Sequence, residues 1–113
     1  MRPSWDDYFS AIAQAVASRA SCPRASVGAV IVRDNRILAT GYNGAPSGEP
    51  HCLEAGCLME EGHCQSALHA EVNAVVHATV PLQGARLYLW SDPVYGVCRE
   101  CAKVLKSAGV VWE

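Results

Sequence analysis

A run of six residues, VGAVIV from Val27 to Val32, is almost wholly apolar. Such a run is typical of a β-strand that is buried on both faces of its sheet. A strand buried in this way needs a packed layer on each side of the sheet. A second apolar run, ILATG from Ile37 to Gly41, follows after the polar segment RDNR. Two apolar runs around a tight Asp-Asn turn predict a β-hairpin within a layered fold.

Helical patterns precede and follow this hairpin. Over residues 4–20, apolar side chains recur at spacings of three and four after a favourable N-cap at Ser4, and they predict one buried stripe: Trp5, Tyr8, Phe9, Ile12 and Val16. The remaining patterns predict a helix over 69–79, a strand over 86–90, a helix over 98–107 and the start of a strand at 110–112. Because strand–helix–strand units have parallel neighbours, the order predicts a three-layer α/β/α sandwich with a mixed central sheet, in a single domain over residues 1–113.

Six cysteines are many for 113 residues. No apolar run reaches the roughly 20 residues of a membrane span, and the N-terminal residues lack the pattern of a signal peptide. We therefore expect a cytoplasmic, reducing environment, in which clustered Cys and His usually bind metal. A disulfide framework is the alternative. The segment 42–68, rich in Gly and Pro, predicts a long irregular loop, and such loops tend to be functional.

Two short motifs stand at the starts of the second and third predicted helices, His69-Ala70-Glu71 and Cys98-Arg99-Glu100-Cys101. Catalytic zinc takes three nitrogen or sulfur ligands from the protein and leaves one position for water. His69, Cys98 and Cys101 supply that number, and helix N-termini favour the thiolate form of cysteine. Zinc lowers the pKa of a water that it binds to about 7, which yields a nucleophile.

Glu71 follows His69 by two residues, so it cannot point in the same direction as that ligand. It is instead placed to act as a general acid/base on the attacking water. Three other interpretations stay open at this point. They are a purely structural zinc with Glu71 in solvent, a non-catalytic zinc-stabilised binding module, and a thioredoxin-like dithiol formed by Cys98 and Cys101.

The combination of His-x-Glu with Cys-x-x-Cys is the signature of zinc deaminases. Together with GYNGAP, LHAEVNAV and CRECAKVLKSAGV it makes the chain resemble the cytidine and deoxycytidylate (dCMP) deaminases, especially those of bacteria and phages, over nearly its whole length. The resemblance implies a zinc-dependent hydrolase that converts a cytosine nucleotide or nucleoside to its uracil form, dCMP to dUMP, with release of ammonia. It also implies the cytidine-deaminase fold.

The same resemblance implies roles for further residues. Asn43 would hydrogen-bond the sugar or base, and the backbone N–H of Ala70 would hold the pyrimidine carbonyl. The carbonyl groups near Trp90 and Ser91 would receive the leaving amino group. Some relatives bind a second, structural zinc, and the residues that correspond to its ligands or are candidates for them are Cys22, Cys52, Cys57, His63 and Cys64.

The sequence departs from the family pattern at two places near the site. Residues Val94–Val97 separate Pro93 from Cys98, where relatives have proline directly before the first cysteine. Val80 stands eleven residues after His69, where phage dCMP deaminases have a phosphate-binding arginine. Another basic residue, such as Arg86 or Arg99, would then have to supply the positive charge.

These departures leave other substrates open: a modified or antibiotic-type nucleoside, guanine, or a base in a single strand. The net charge of −2 argues against nucleic acid, which basic surfaces bind. An exposed sheet edge after the last predicted strand invites pairing, so we expect a homo-oligomer.

Overall fold

The computed structural model describes residues 2–20, 25–44, 59–60, 63–64, 69–94 and 96–112. Within these ranges the elements are α1 (Trp5–Ala17), β1 (Ser26–Arg33), β2 (Arg36–Tyr42), β3 (Met59–Glu60), β4 (His63–Cys64), α2 (Ala70–Val76), β5 (Arg86–Asp92) and α3 (Arg99–Ala108). No described helix has the length and apolar character needed to cross a membrane.

The predicted hairpin forms from β1 and β2. Asp34 and Asn35 both have positive φ, 54° and 60°, the conformation that a two-residue type I′ turn requires. Asn and Asp tolerate this left-handed region better than most residues. The strands pair antiparallel, with one register shift between Ile31 and Val32.

The three long strands form a sheet in the order β2-β1-β5, and both neighbouring pairs are antiparallel. The strands β2 and β5 therefore run parallel to each other, but β1 lies between them. Within the described residues, a parallel neighbour of β5 is present only as a bridge from Arg86 to Val111, in which the Leu87 N–H donates to the Val111 carbonyl at 2.9 Å. The prediction of parallel neighbours for each strand–helix–strand unit was thus correct for β5-α3-Val111 and wrong for β2-α2-β5.

Helices cover both faces of this sheet, which confirms the predicted α/β class. On one face, Val30 and Val32 of β1 pack with Phe9 and Ala13 of α1. On the other face, a larger core contains buried side chains from the sheet, α2, α3 and the segments that join them: Ala29, Ile31, Ala39, Ala70, Ala74, Leu82, Ala85, Leu87, Leu105 and Val110. The strand β1 is buried on both faces, as its composition predicts.

The buried stripe of α1 agrees with the prediction at Phe9, and at Ile12 and Val16, which are partly buried, but it differs at the other positions. Phe9, Ala13 and Ala17 are the buried residues, at a spacing of four, while Trp5 and Tyr8 are exposed. Trp5 instead stacks against the ring of Phe9 from outside, with 5.7 Å between ring centroids. The small alanines occupy the centre of the contact because the helix lies unusually close to the sheet.

Glycine in the sheet explains this closeness. A Cβ on Gly28 of β1 would lie 2.0 Å from the Ala13 carbonyl oxygen of α1. On the opposite face, a Cβ on Gly41 of β2 would lie 2.4 Å from the Ala70 carbonyl oxygen and from the Ala74 nitrogen of α2. Each helix backbone therefore packs directly on the strand backbone at a glycine.

Element ends differ modestly from the sequence prediction. The helix α2 is shorter than the predicted 69–79 and ends at Val76, and β5 extends beyond the predicted 86–90 to Asp92. The helix α3 ends at Ala108 and is capped by Gly109, whose φ of 79° is the left-handed conformation of a helix C-cap. Within the predicted loop 42–68, the two short strands β3 and β4 pair antiparallel, so the segment is not wholly irregular.

Candidate metal centre and active site

Helix starts position the predicted metal ligands. His69 is the N-cap of α2 and Cys98 is the N-cap of α3, both with extended backbone conformation. Cys101 lies in the first turn of α3 and is fully buried. Because α2 and α3 pack on the same face of the sheet and contact each other, their first turns bring the three side chains together.

The three side chains converge on one point. The His69 Nδ1 lies 3.1 Å from the Cys101 Sγ and 3.3 Å from the Cys98 Sγ. All three donor atoms lie within 4.8 Å of one another, and within the described part of the chain this is the group that could hold a metal ion. Both cysteines are free thiols.

The donor set fits zinc. Tetrahedral geometry with Zn–N of about 2.0–2.1 Å and Zn–S of about 2.3 Å places N and S ligands about 3.6 Å apart, close to the observed separations. One imidazole nitrogen and two sulfurs are ligands that zinc prefers. The backbone N–H of Cys101 donates to the Cys98 Sγ at 3.4 Å, a contact that stabilises negative charge on this sulfur.

Glu71 lies beside the cluster without being part of the donor group. Glu71 is only 5% exposed. Burial raises the pKa of its carboxyl group, while its own backbone N–H, the nearby His69 and the Cys101 thiol oppose the rise. A buried carboxyl group whose pKa moves toward neutrality is suited to proton transfer.

The two buried acids affect each other. Burial is the main cause that raises the pKa of the Cys101 thiol, and the negative charge of Glu71 and the contact with Cys98 add to it. This outweighs, for Cys101, the lowering that its place in the first turn of α3 predicts. A bound cation reverses this balance, since it stabilises the thiolate directly.

Asn43 uses its side chain to hold the backbone. The Val27 N–H donates to the Asn43 Oδ1 at 2.9 Å, and the Asn43 Nδ2 donates to the Ala25 carbonyl at 2.9 Å. An amide oxygen has two lone pairs and an amide nitrogen two N–H groups, so these bonds occupy half of its capacity. The contact of Asn43 with substrate stays a prediction, and it would use the second lone pair of Oδ1 or the second N–H of Nδ2.

The other predicted substrate contacts are backbone groups. Ala70 is buried and is the first residue of α2, where a helix leaves its N–H groups without intrahelical partners. Strand backbone groups alternate between the two edges, and the Leu87 N–H points away from β1. The Ser91 carbonyl therefore also points away from β1, while that of Trp90 points toward it. Contact of either carbonyl with substrate stays a prediction.

The predicted second zinc site lies outside the described residues. Cys22, Cys52 and Cys57 are not described, and for His63 and Cys64 the structure gives only their place in β4. A second structural zinc therefore stays a prediction.

Asn73 was not predicted. It is buried, its Nδ2 donates to the Tyr42 carbonyl at 2.8 Å, and its backbone N–H donates to the His69 carbonyl at 3.0 Å. The sequence signal was present, because Asn73 is the polar residue in the otherwise apolar VNAVV and follows His69 by four positions, on the same helix face.

The extra segment before Cys98 borders the site. It follows the cis peptide bond between Asp92 and Pro93. Val94 is 91% exposed, and Val97 packs against the larger core. The segment is thus anchored at Val97, next to the ligand Cys98.

Val80 and the two arginines that could replace the missing phosphate-binding arginine lie at different distances along the chain from the metal ligands. Val80 is exposed and lies past the C-terminal end of α2, opposite to the end that carries His69. Arg86 begins β5, at the far end from Asp92, and its guanidinium stacks on the Tyr88 ring at 5.2 Å. Arg99 directly follows Cys98 and is exposed. Of the two compensating arginines considered, only Arg99 lies at the metal centre.

Comparison with known proteins agrees with this geometry. The family model described as "Cytidine and deoxycytidylate deaminase zinc-binding region" matches residues 3–112. The chain is 45% identical over 112 residues to ComE operon protein 2 of Bacillus subtilis (strain 168), covering 96% of this chain and 57% of that protein. It is 38% identical over 121 residues to the deoxycytidylate deaminase of Mycobacterium phage D29, covering 96% of this chain and 91% of that protein.

A solved structure is similar as well. The dCMP deaminase of the cyanophage S-TIM5, in complex with dCMP and dUMP, superposes with a TM-score of 0.78 at 31% identity, covering 99% of this chain and 82% of that one. The likeness thus extends over the whole described fold, although the chain spans little more than half the length of the Bacillus relative. The chain belongs to the cytidine and deoxycytidylate deaminase zinc-binding region family.

Proposed function

We propose that this chain is a single zinc-dependent deaminase domain that hydrolyses the exocyclic amine of a cytosine nucleotide. One observation carries the proposal: one imidazole nitrogen and two cysteine sulfurs converge within 4.8 Å, beside the buried carboxyl group of Glu71. The three alternatives do not use all of these features. A structural zinc and a binding module need no buried acid, and a dithiol needs no histidine.

His69, Cys98 and Cys101 would hold the zinc. When bound, zinc activates a water molecule for attack at neutral pH. The chain's own contribution is to fix the ligands on the first turns of two packed helices. It also leaves His69 exposed, which gives substrate access from solvent, while Cys101 is buried beneath.

Glu71 transfers the protons. As a carboxylate it accepts a proton from the attacking water and delivers it to the ring nitrogen next to the carbon under attack. It then accepts the remaining proton of the added hydroxyl group and donates it to the amine, so that the C–N bond breaks as the carbonyl forms and ammonia leaves. The products are the uracil form of the substrate and one ammonia for each water consumed. The Ala70 N–H and the Ser91 carbonyl would hold the base on either side of this path.

The substrate follows from the relatives. The phage and cyanophage proteins are named as deaminases of deoxycytidylate, and the cyanophage structure contains dCMP and dUMP. We assign dCMP as the substrate, with Arg99 as the cation for its phosphate, because Arg99 lies next to Cys98 in the first turn of α3. Val80 cannot take that role, since valine carries no charge.

The decisive experiment is Glu71→Gln, which keeps the shape and removes the proton acceptor. We expect zinc content to stay as in the wild type and kcat for dCMP to fall by roughly 100- to 10,000-fold, the usual range for loss of a general acid/base. Ammonia release and zinc content are the measurements. Glu100→Gln is the matched control, since Glu100 is an exposed acid in the same Cys-x-x-Cys motif that pairs only with Lys103 among the described residues.

Three outcomes would contradict the proposal. Activity in Glu71→Gln equal to that of Glu100→Gln would remove Glu71 from the mechanism. A purified chain that binds no zinc would remove the metal. A panel of dCMP, deoxycytidine, cytidine and guanine in which dCMP is no better than deoxycytidine would show that the phosphate is not recognised.

Three further features belong to the same proposal: a second structural zinc, self-association and a cytoplasmic location. Exposed apolar side chains on the described surface support self-association, among them Ile37, Val76, Val80 and Val111.

A further inference from the structure

The end of β2 and the middle of α2 are joined by one buried amide. Asn73 is 7% exposed, and its Nδ2 donates to the Tyr42 carbonyl at 2.8 Å. The Tyr42 carbonyl is the last acceptor of β2, directly before Asn43. This amide therefore lies between the zinc-binding helix and the segment in which Asn43 is expected to contact substrate.

Two further bonds continue the connection on each side. The Asn73 backbone N–H donates to the His69 carbonyl at 3.0 Å, the regular helical bond between residues four apart, so the amide stands one turn after the metal ligand. On the other side, Asn43 holds the Ala25 carbonyl and the Val27 N–H with its side chain. The helix α2 is thus connected to the start of β1 through the Asn73–Tyr42 hydrogen bond, the peptide bond from Tyr42 to Asn43 and the hydrogen bonds of the Asn43 side chain.

The glycine contact alone does not fix this relation. Gly41 lets α2 lie directly on β2, but a contact between backbones without side chains can slide along the strand. A hydrogen bond has a directional requirement and a narrow distance range. Packing at Gly41 does not determine the position of α2 along β2. The Asn73 hydrogen bond therefore fixes that position at the end of the strand.

We infer that Asn73 is a positioning residue that holds the Tyr42–Asn43 segment at a fixed distance from the zinc centre for nucleotide binding. It touches neither metal nor substrate in this role. Its loss changes where the nucleotide is held and leaves the zinc ligands in place. This inference rests on the proposed deaminase function.

The test uses Asn73→Asp, which keeps the shape but removes the N–H donors at neutral pH. We expect the KM for dCMP and the dissociation constant for dUMP, measured by calorimetry, to rise about tenfold at pH 7.5, the effect of one lost hydrogen bond. Zinc content should stay unchanged and kcat should fall by less than about threefold. At pH 5.5, with zinc in excess, protonation restores a donor, so the ratio of variant to wild-type dissociation constants should decrease.

The matched control is Val75→Ala on the same helix. Val75 packs against the larger core, so this variant lowers the melting temperature without touching the end of β2, and dUMP affinity should stay at the wild-type value. If the introduced carboxylate prevents folding, Asn73→Ser replaces it, because the shorter side chain cannot reach the Tyr42 carbonyl, and the same rise in both constants is expected.

The outcomes separate the two proposals. A wild-type chain that binds zinc but neither deaminates dCMP nor binds dUMP contradicts the proposed function. If the wild type is active and the Asn73 variants bind dUMP with the same affinity as the Val75 control, the inference is overturned and the proposed function is not. Loss of zinc in the Asn73 variants, or a fall in kcat at constant KM, also overturns it.

Discussion

Glu71 shows at the scale of one residue how a site for chemistry works against folding. Its carboxyl group is buried next to a second acid, the Cys101 thiol. A charge removed from water without a cation nearby destabilises the folded state. Without metal, burial therefore shifts both groups toward their protonated forms, and a bound cation would offset the cost of burying their charges.

This gives a pH dependence with a definite sign. Burial raises the pKa of Glu71 above its ordinary value of 4.5, so above pH 4.5 the folded chain holds this proton more tightly than the unfolded chain. The contribution of Glu71 to the free energy of unfolding is thus fully present below pH 4.5 and is lost as pH rises through the raised pKa. We expect metal-free Glu71→Gln to become progressively more stable than metal-free wild type as pH rises above 4.5.

Thermal unfolding in the presence of a chelator, followed for both proteins between pH 4.5 and 8, measures this difference. A difference in melting temperature that stays constant over that range would mean that the carboxyl group titrates normally in the folded chain.

At the scale of elements, two close contacts between backbones set the distances of α1 and α2 from the sheet. Gly28 brings α1 onto β1 from one face, and Gly41 brings α2 onto β2 from the other. Because Gly28 contacts α1 and Gly41 contacts α2, replacing each glycine separately distinguishes an effect on stability from an effect on the metal site. Only α2 carries His69 and Glu71.

We predict that Gly28→Ala and Gly41→Ala each lower the free energy of unfolding by roughly 1–3 kcal/mol, the usual cost of overpacking. Only Gly41→Ala should also weaken zinc binding, because α2 must move to admit the methyl group. Denaturant unfolding and competition with a chromogenic chelator measure the two effects. Equal zinc affinity in both variants would show that α2 tolerates the displacement without disturbing His69.

Much of this arrangement of elements follows from the sequence. The apolar run of β1, the Asp34-Asn35 turn and the caps of α1 and α3 are local signals, and the structure agrees with all of them. The metal group is also predictable, because its ligands occupy helix starts. The position of β5 beside β1 is not, because the choice between neighbouring strands depends on side-chain packing between distant segments. The role of Asn73 depends on the same long-range geometry.

At the scale of the whole molecule, the metal centre joins the two halves of one layer. The helices α2 and α3 pack on the same face of the sheet, and each contributes its first turn to the donor group. A bound cation would therefore add a cross-link between segments that are otherwise held by apolar contacts. In a chain of this size, such a link is a substantial part of the stability.

We expect removal of zinc by a chelator to lower the melting temperature by roughly 10 °C, given about 2.7 kcal/mol from a ligand at 100 times its dissociation constant. The chelator should have no further effect on Cys98→Ser. An unchanged melting temperature would show that the metal does not connect the helices.

Metal analysis of the same sample counts the zinc ions bound per chain, and two ions per chain would support the second zinc site. Light scattering gives the molecular mass in solution, and the mass of a monomer would contradict self-association.

The separation of the ligands along the chain has a consequence for how the protein acquires its metal. His69 and Cys98 are 29 positions apart, and β5, which runs between them, reaches its place only by pairing with the far earlier β1. In a nascent or wrongly paired chain, Cys98 and Cys101 are close together in sequence, but the imidazole of His69 is not held beside them. Tight uptake of the ion thus reports that the sheet has been assembled in its native order, and loading follows folding.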